Sequence, residues 1–341
     1  MVIVYTDIII MLLSFFNLWV SEYIVNFYIV NNKLNVANKH ITDKNEELLQ
    51  QKEEITAQRD EIEAQRNILQ DQKDTIEEIN MQINKSIDYA KRIQNAALPE
   101  ISILKNYLTD YFILFKPRDI VSGDFYWFSH IDGVTVIVAA DCTGHGVPGA
   151  FMSMLGISFL REIVIKEKIL NPGLVLKELR KEIITSLHQT NNKIEQQGNT
   201  FETNVKDGMD IALLSINHKN KTLSYAGANN PLYFIKHNTA VIEEIKADKM
   251  LIAIHDKMGD YTTHNLDIEN GDRFYIFSDG YADQFGGPKG KKFKYKPFKQ
   301  LLLSNKEKSM EEQKQNLNDT FEAWRGNNEQ VDDVLVIGLQ I

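Results

Sequence analysis

Ala139-Ala140-Asp141-Cys142-Thr143-Gly144-His145-Gly146 ends an apolar run in a carboxylate and a glycine-punctuated turn. The same layout recurs in Ser122-Gly123-Asp124, Phe277-Ser278-Asp279-Gly280 and Val331-Asp332-Asp333-Val334. Each sets an aspartate at the edge of an apolar strand, beside a turn. One such aspartate is ordinarily a turn residue and nothing more. Four of them imply a shared cleft, because a strand end is rigid enough to aim a carboxylate. Converging carboxylates repel and desolvate one another unless cations lie between them. Oxygen ligands without a His or Cys cluster select Mg2+ or Mn2+ over zinc. Two such ions bridged by one carboxylate can activate a water and clamp a phosphoryl oxygen.

Outward from these turns, aromatics, glycines and alternating apolar runs appear together only after Pro99. The pattern predicts strands at 111–116, 124–130, 134–141, 209–217, 222–227, 232–236, 273–279 and 333–339. It predicts helices at 149–168, 171–190, 296–304 and 309–325. Hairpin-like connections at 217–221 and at Asn229-Asn230-Pro231 point to antiparallel sheet in an α+β unit rather than to repeated crossovers.

Residues 33–98 are polar and helix-forming. Leu34, Ile41, Leu48, Ile55, Ile62, Leu69, Ile76 and Ile83 recur every seven residues, continued by Ala90 and Ala97. That period implies a left-handed coiled coil, and β-branched Ile at one core position favours two parallel strands. The other core position holds Gln51, Gln58, Gln65 and Gln72, so the seam is weak. A solitary charged helix held by i,i+4 pairs is the plainer alternative. The expectation is a dimerising stalk of roughly 95 Å if continuous.

Residues 1–32 hold no Lys, Arg or His and two acids, Asp7 and Glu22. The apolar run between them suits a membrane anchor more than a helix packed on another protein, although it is shorter than a clean span. It lacks the basic start and cleavage site of a secretory signal. The first cations, Lys33 and Lys39, follow it, which would place the rest of the chain in the cytoplasm, at the inner membrane. Without an anchor the expectation is simply cytoplasmic.

The 341 residues carry a formal charge of −9 and a single cysteine. The cysteine count excludes a disulfide framework and a multi-cysteine zinc site. The acidity argues against a nucleic-acid binder. The run Lys289-Gly290-Lys291-Lys292-Phe293-Lys294-Tyr295-Lys296 reads as a solvated flank or a patch for an acidic protein partner.

Six stretches in order carry a resemblance: SGDFYWF (122–128), ADCTGHGVPGAFMSMLG (140–156), DGMDIALLSI (207–216), YAGANNPLYFI (225–235), FSDGYADQFGG (277–287) and VDDVLVIG (331–338). Together they resemble the SpoIIE-type, protein phosphatase 2C-like branch of the metal-dependent protein serine/threonine phosphatases, over about residues 100–341. Residues 89–99 resemble the helix, often regulatory, that leads into such domains. The resemblance implies an α-β-β-α sandwich of two antiparallel sheets flanked by helices, with two Mn2+ or Mg2+ ions in a cleft at one end. It implies that Asp141 bridges both ions and that the Cys142 backbone carbonyl joins it. Asp279 and Asp332 would hold one ion, with Asp332 ranked above Asp333, and Asp124 would act mainly through water.

Arg118 is the candidate to pin the substrate phosphate, with a surface arginine as the plain alternative. His145 either protonates the leaving serine oxygen or holds its turn, and the structural role is slightly favoured. Cys142 is no phosphatase nucleophile, since Pro148 stands where such enzymes need Arg. The segment Leu251-Ile252-Ala253-Ile254-His255 departs from the family's usual turn. The implied reaction is hydrolysis of phosphoserine or phosphothreonine on a signalling protein by metal-activated water. The family points to an anti-sigma-factor antagonist as substrate.

The expected organisation is therefore an apolar anchor (1–32), a homodimeric stalk (33–98) and a catalytic domain (99–341). Two rivals stand beside it. An ATP-binding histidine kinase would also combine a membrane segment, a coiled coil and a glycine-rich turn, but leaves Asp279 and Asp332 unexplained. A non-catalytic phosphatase-like scaffold would not need all its ligand carboxylates.

Overall fold

The computed structural model describes residues 2–189, 207–255 and 258–341. They divide into two compact units, one ending at Gln82 and the other spanning Ile83–Ile341. One helix, α1 (Val2–Ala97), contributes residues to both. In the first unit the sevenfold series lies exposed, from Leu34 at 54% to Leu69 at 65%. Gln58 and Gln65 donate to Glu54 and Glu61 one turn earlier. By length and composition the N-terminal part of α1 is apolar enough to cross a membrane.

In the second unit α1 stops before Pro99, which cannot continue a helix and disfavours helical backbone in the residue ahead of it. A 3₁₀ turn (Ile101–Asn106) leads into β1 (Asp110–Lys116), β2 (Phe125–Ile131) and β3 (Val134–Cys142). Two helices follow, α2 (Gly146–Leu160) and α3 (Pro172–Ser186). A π-helical turn (Arg161–Lys166) closes α2. Asn171 caps α3 by accepting from the Leu174 amide at 3.1 Å, with Pro172 opening the helix. Strands β4 (Met209–Asn217), β5 (Thr222–Ala228), β6 (Leu232–Ile235), β7 (Glu243–Ile245), β8 (His264–Asp267) and β9 (Arg273–Phe277) come next. The chain ends through α4 (Gly280–Asp283), the short hairpin β10 (Phe285–Gly286) and β11 (Lys291–Lys292), α5 (Tyr295–Ser304), α6 (Met310–Arg325) and β12 (Val334–Gln340). Ser309 and Glu312 form a reciprocal capping box at the start of α6.

The strands form two antiparallel five-stranded sheets, ordered β1-β12-β9-β6-β7 and β2-β3-β4-β5-β8. Alternation along each strand builds the layers. On β3, Val136, Val138 and Ala140 pack with Leu160, Val175 and Leu179 of the α2–α3 layer. Its intervening Ile137 and Ala139 meet Ile276 and Ile337 of the other sheet. On β12, Val334 and Val336 turn outward to Phe298, Leu317 and Phe321 of α5 and α6. The result is the expected α-β-β-α sandwich.

Some local expectations need correction. Asn229-Asn230-Pro231 is not a hairpin turn: it carries the chain from β5 in one sheet to β6 in the other. Its geometry is set by Asn229 at φ 60°, and by the Tyr225 hydroxyl donating to the Asn230 carbonyl at 2.6 Å. The first helix of the domain begins at Gly146 rather than 149, and the second ends at Ser186, while Thr190 falls outside the described residues. Leu251–His255 forms an irregular segment whose Ile252 and Ala253 are buried, with the Ile252 amide donating to the Met209 carbonyl at 2.9 Å.

Candidate active site

The strand pairing brings the predicted aspartates to one end of the sandwich. Phe125 faces Ala140 across β2 and β3, so Asp124 and Asp141 are neighbours at that edge. Phe277 faces Val336 across β9 and β12, which places Asp279 near Asp332 and Asp333. Asp141 also has a cross-strand partner on β4, Asp210, whose carboxylate accepts from the Asn229 side-chain amide at 2.7 Å.

Close backbone packing builds the frame. A Cβ on Gly149 would stand 2.3 Å from the Gly144 carbonyl oxygen and 2.8 Å from the Gly123 Cα. The start of α2, the Asp141 turn and the Asp124 turn therefore touch where only glycine fits. A Cβ on Gly280 would stand 2.0 Å from the Asp333 carbonyl oxygen, which locks the Asp279 and Asp332 turns together in the same way. The Ser278 hydroxyl accepts from the Leu335 amide at 3.0 Å. The Thr143 amide donates to the Gly208 carbonyl at 2.9 Å, and the Gly208 amide to the Thr143 hydroxyl at 3.0 Å.

The carboxylates are electrostatically strained. Burial pushes Asp124 well above the usual carboxylate range, Asp141 adds to the shift, and the Ser278 hydroxyl opposes it. Asp141 is likewise raised well above that range by burial, then by Asp279, Asp332 and Asp210. Asp279 is pushed up to about 6 by burial, with Asp332, Asp283 and Asp210 adding to it. Burial also raises Asp332, against the Asp333 amide and the Arg118 and His145 charges. Asp210 is raised by burial against its bond from Asn229. Five carboxylates thus lie within one another's field at this end of the sandwich.

A divalent cation fits this donor set. Asp124 is 2% exposed, and its Oδ2 is buried without a hydrogen-bond partner. That is the state of an oxygen placed to meet something other than protein. Among the described residues, however, no three His, Cys, Asp or Glu side chains are gathered tightly enough to hold an ion as they stand.

The adjacent pair at the last turn divides its labour. Asp333 is 3% exposed, and accepts from the backbone amides of Arg118 and Gly123 at 2.7 Å and of Asp124 at 3.4 Å. It staples the Asp124 turn. Asp332 accepts from the Asp333 amide at 2.9 Å and lies within the field of Asp141 and Asp279. The Arg118 guanidinium donates to the Val331 carbonyl at 3.0 Å, beside Asp332. His145 is exposed at the N-cap position of α2 without capping it, and pairs with Asp119 at 3.1 Å. The Cys142 thiol is buried, with its pKa raised well above the ordinary value by burial and then by Asp141, so it is a poor nucleophile.

Sequence reasoning did not single out Asp210, Asp119 or Tyr295. Asp210 sits inside the quoted DGMD stretch, and its pairing with Asp141 through β3 and β4 is the signal that identifies it. The Tyr295 pKa is raised by burial and then by Asp279, Asp283 and Asp141, which places its ring at the acidic end.

The family model described as stage II sporulation protein E (SpoIIE) matches residues 131–341. Among solved structures, the chain is similar to the SiaA PP2C domain of Pseudomonas aeruginosa. The match has 29% identity and a TM-score of 0.67, over 77% of this chain and 98% of that one. The RsbU and RsbW domains of a Mycobacterium tuberculosis protein share the fold at 14% identity and a TM-score of 0.53, over 68% of this chain and 59% of that one. So does the PP2C phosphatase domain, with a fragment of the regulatory domain, of the cell fate determinant SpoIIE from Bacillus subtilis. There the identity is 16% and the TM-score 0.52, over 68% of this chain and 63% of that one. No curated protein matches the sequence.

Proposed function

This chain belongs to the SpoIIE family and carries a PP2C-type protein serine/threonine phosphatase domain, and on that footing we propose how its residues perform the hydrolysis. The observation that carries the proposal is the buried, unpartnered Asp124 Oδ2 among carboxylates whose pKa values are all raised. Asp141 would be the ligand common to two ions, Mn2+ or Mg2+, with the Cys142 carbonyl beside it. Asp279 and Asp332 would complete the set of one ion, and Asp124 would act through water. Asp333 leaves the ligand set, because its oxygens are committed to backbone amides. When bound, the ions supply the positive charge that acidifies a water and neutralises the phosphoryl oxygens.

The protein's own groups do the rest. Arg118, anchored at Val331, binds the substrate phosphoryl group beside Asp332. The Asp119–His145 pair orients the Asp141 turn, with His145 available to hold a proton for the leaving serine oxygen. Exposed Lys289, Lys291, Lys294 and Lys296 flank Tyr295 and favour an acidic phosphoprotein. The substrate is phosphoserine or phosphothreonine on a signalling protein such as an anti-sigma-factor antagonist. The proposed organisation is an anchor (1–32) that holds the catalytic domain at the cytoplasmic face of the membrane, a homodimeric stalk (33–98) that regulates it, and the domain itself (99–341).

The test is hydrolysis of para-nitrophenyl phosphate and of a phosphoserine protein, with and without Mn2+. Turnover that requires Mn2+ and is lost in Asp141→Asn is expected. Absent or metal-independent turnover, unchanged by that substitution, overturns the reading in favour of a non-catalytic scaffold.

A further inference from the structure

Gln94 lies on the last turns of α1, within the second unit, and is 5% exposed. A buried primary amide is costly unless its donors and acceptor are met. Here they are met by Ser122 of the Asp124 turn and by Ser153 of α2. The Gln94 Nε2 donates to the Ser122 carbonyl at 2.6 Å and to the Ser153 hydroxyl at 2.8 Å. The Ser122 amide donates back to the Gln94 Oε1 at 3.1 Å. One side chain thus satisfies both backbone groups of Ser122, as a neighbouring strand would. Ser153 is fully buried on α2 and passes its own proton to the Ala150 carbonyl at 2.9 Å, which leaves its oxygen free to accept from Gln94.

Two residues after Ser122 stands Asp124. The amides of Gly123 and Asp124 are held from the opposite side by Asp333. The turn is therefore fixed between two clamps, Gln94 before the carboxylate and Asp333 behind it. If Gln94 lost its amide, the Ser122 amide would be left buried without a partner, and the Ser122 carbonyl would keep only the longer bond from the Ser153 hydroxyl at 3.4 Å. An unmet buried backbone group is unfavourable, and the turn would shift to recover a partner. Asp124 would move with the turn.

We propose that Gln94 is a positioning residue for the cation-facing carboxylate of Asp124, acting through its paired hydrogen bonds to the Ser122 backbone. The inference rests on the reading of Asp124 as part of the metal centre. It assigns Gln94 no contact with substrate or ion. It also places the link between the helix of residues 89–99 and the site at the Ser122–Asp124 turn.

The test uses the full chain with Gln94→Met, which keeps length and apolar volume but removes the amide, and with Ser153→Ala, which removes the hydroxyl that accepts from Gln94 and stands 3.4 Å from the Ser122 carbonyl. Mn2+ affinity is measured directly by calorimetric titration, and kcat is measured at saturating Mn2+. Gln94→Met is expected to weaken Mn2+ binding by about tenfold or more, in the range seen for residues that orient metal ligands. Recovery of most of kcat at saturating Mn2+ is expected alongside, because the chemistry itself is untouched. Ser153→Ala should show a smaller loss in the same direction. Wild-type Mn2+ affinity in a folded Gln94→Met overturns the inference while leaving the metal centre in place. Should that variant fail to fold, unchanged affinity in Ser153→Ala overturns it. A wild-type chain that binds no Mn2+ removes the premise, and the inference falls with it.

Discussion

Asp332 and Asp333 are adjacent, chemically identical and unlike in task, and the difference lies in partners more than two hundred residues away in sequence. Asp333 meets the Arg118 and Gly123 amides, whereas Asp332 faces the other carboxylates. Their substitutions should therefore separate. Asp333→Ala orphans at least two buried amides and should lower unfolding stability in urea by about 3 kcal/mol or more. Asp332→Asn removes a repelling charge, so it should leave the metal-free fold at least as stable while turnover with Mn2+ falls by about a hundredfold or more. Equal loss of stability in both would refute this division.

Asp272 offers a residue-scale prediction away from the site. Its fully buried carboxylate accepts from Lys236 at 2.9 Å and from the Glu269 and His237 amides at 3.0 and 2.9 Å. The His237 Nδ1 lies 3.5 Å away and 3.4 Å from the Glu269 carboxylate. Burial alone would raise this pKa, but the hydrogen bonds outweigh it and hold the group below its usual value of 3.8. A depressed carboxylate stabilises the fold above the unfolded pKa, and that contribution is lost as pH falls through the folded value. Asp272→Asn should therefore reduce stability at pH 7 and flatten the acid-denaturation limb below about pH 4. An acid limb identical to wild type would contradict the assignment.

At the scale of elements, the strands bearing strong alternation were legible to within a residue or two, because both faces of β3, β4 and β12 are buried against defined layers. Two of the edge strands, β7 and β8, were not. β7 reads Glu243-Glu244-Ile245 and β8 reads His264-Asn265-Leu266-Asp267, half exposed and without an apolar run. Their pairing comes from the neighbouring strand rather than from their own composition. The four aspartates were legible as strand-end residues. Asp210 was not, because only the β3–β4 register sets it opposite Asp141.

The glycine contacts between elements carry a sharper consequence. Gly149→Ala would force a methyl against the Gly144 carbonyl and the Gly123 Cα, and neither backbone is a flexible side-chain end. The turns that bear Asp141 and Asp124 must separate to admit it. Mn2+-dependent turnover should fall by about tenfold or more, with a larger fractional loss in activity than in thermal stability. Retained activity would show that the two turns tolerate separation.

For the whole molecule, the decisive feature is the apolar series on the helix of the first unit. Ile55, Ile62, Leu69 and Ile76 are each more than half exposed in the single chain, one per heptad. Burying such a side chain contributes about 1.5–3 kcal/mol. Association costs about 4–15 kcal/mol, and the Gln residues at the other core position add no apolar area to offset it. Eight apolar core positions per chain, from Leu34 to Ile83, place the balance on the side of pairing. The same glutamines bond to Glu54 and Glu61 within their own helix, so they do not oppose a separated chain. The full chain in detergent should therefore show a reversible monomer–dimer equilibrium in sedimentation across micromolar concentrations. Ile55→Asn with Ile62→Asn should shift it to monomer, since two polar residues replace a quarter of the seam. A mass unchanged by the double substitution would mean that the series holds no dimer, and the solitary charged helix would then be the correct description of residues 33–82.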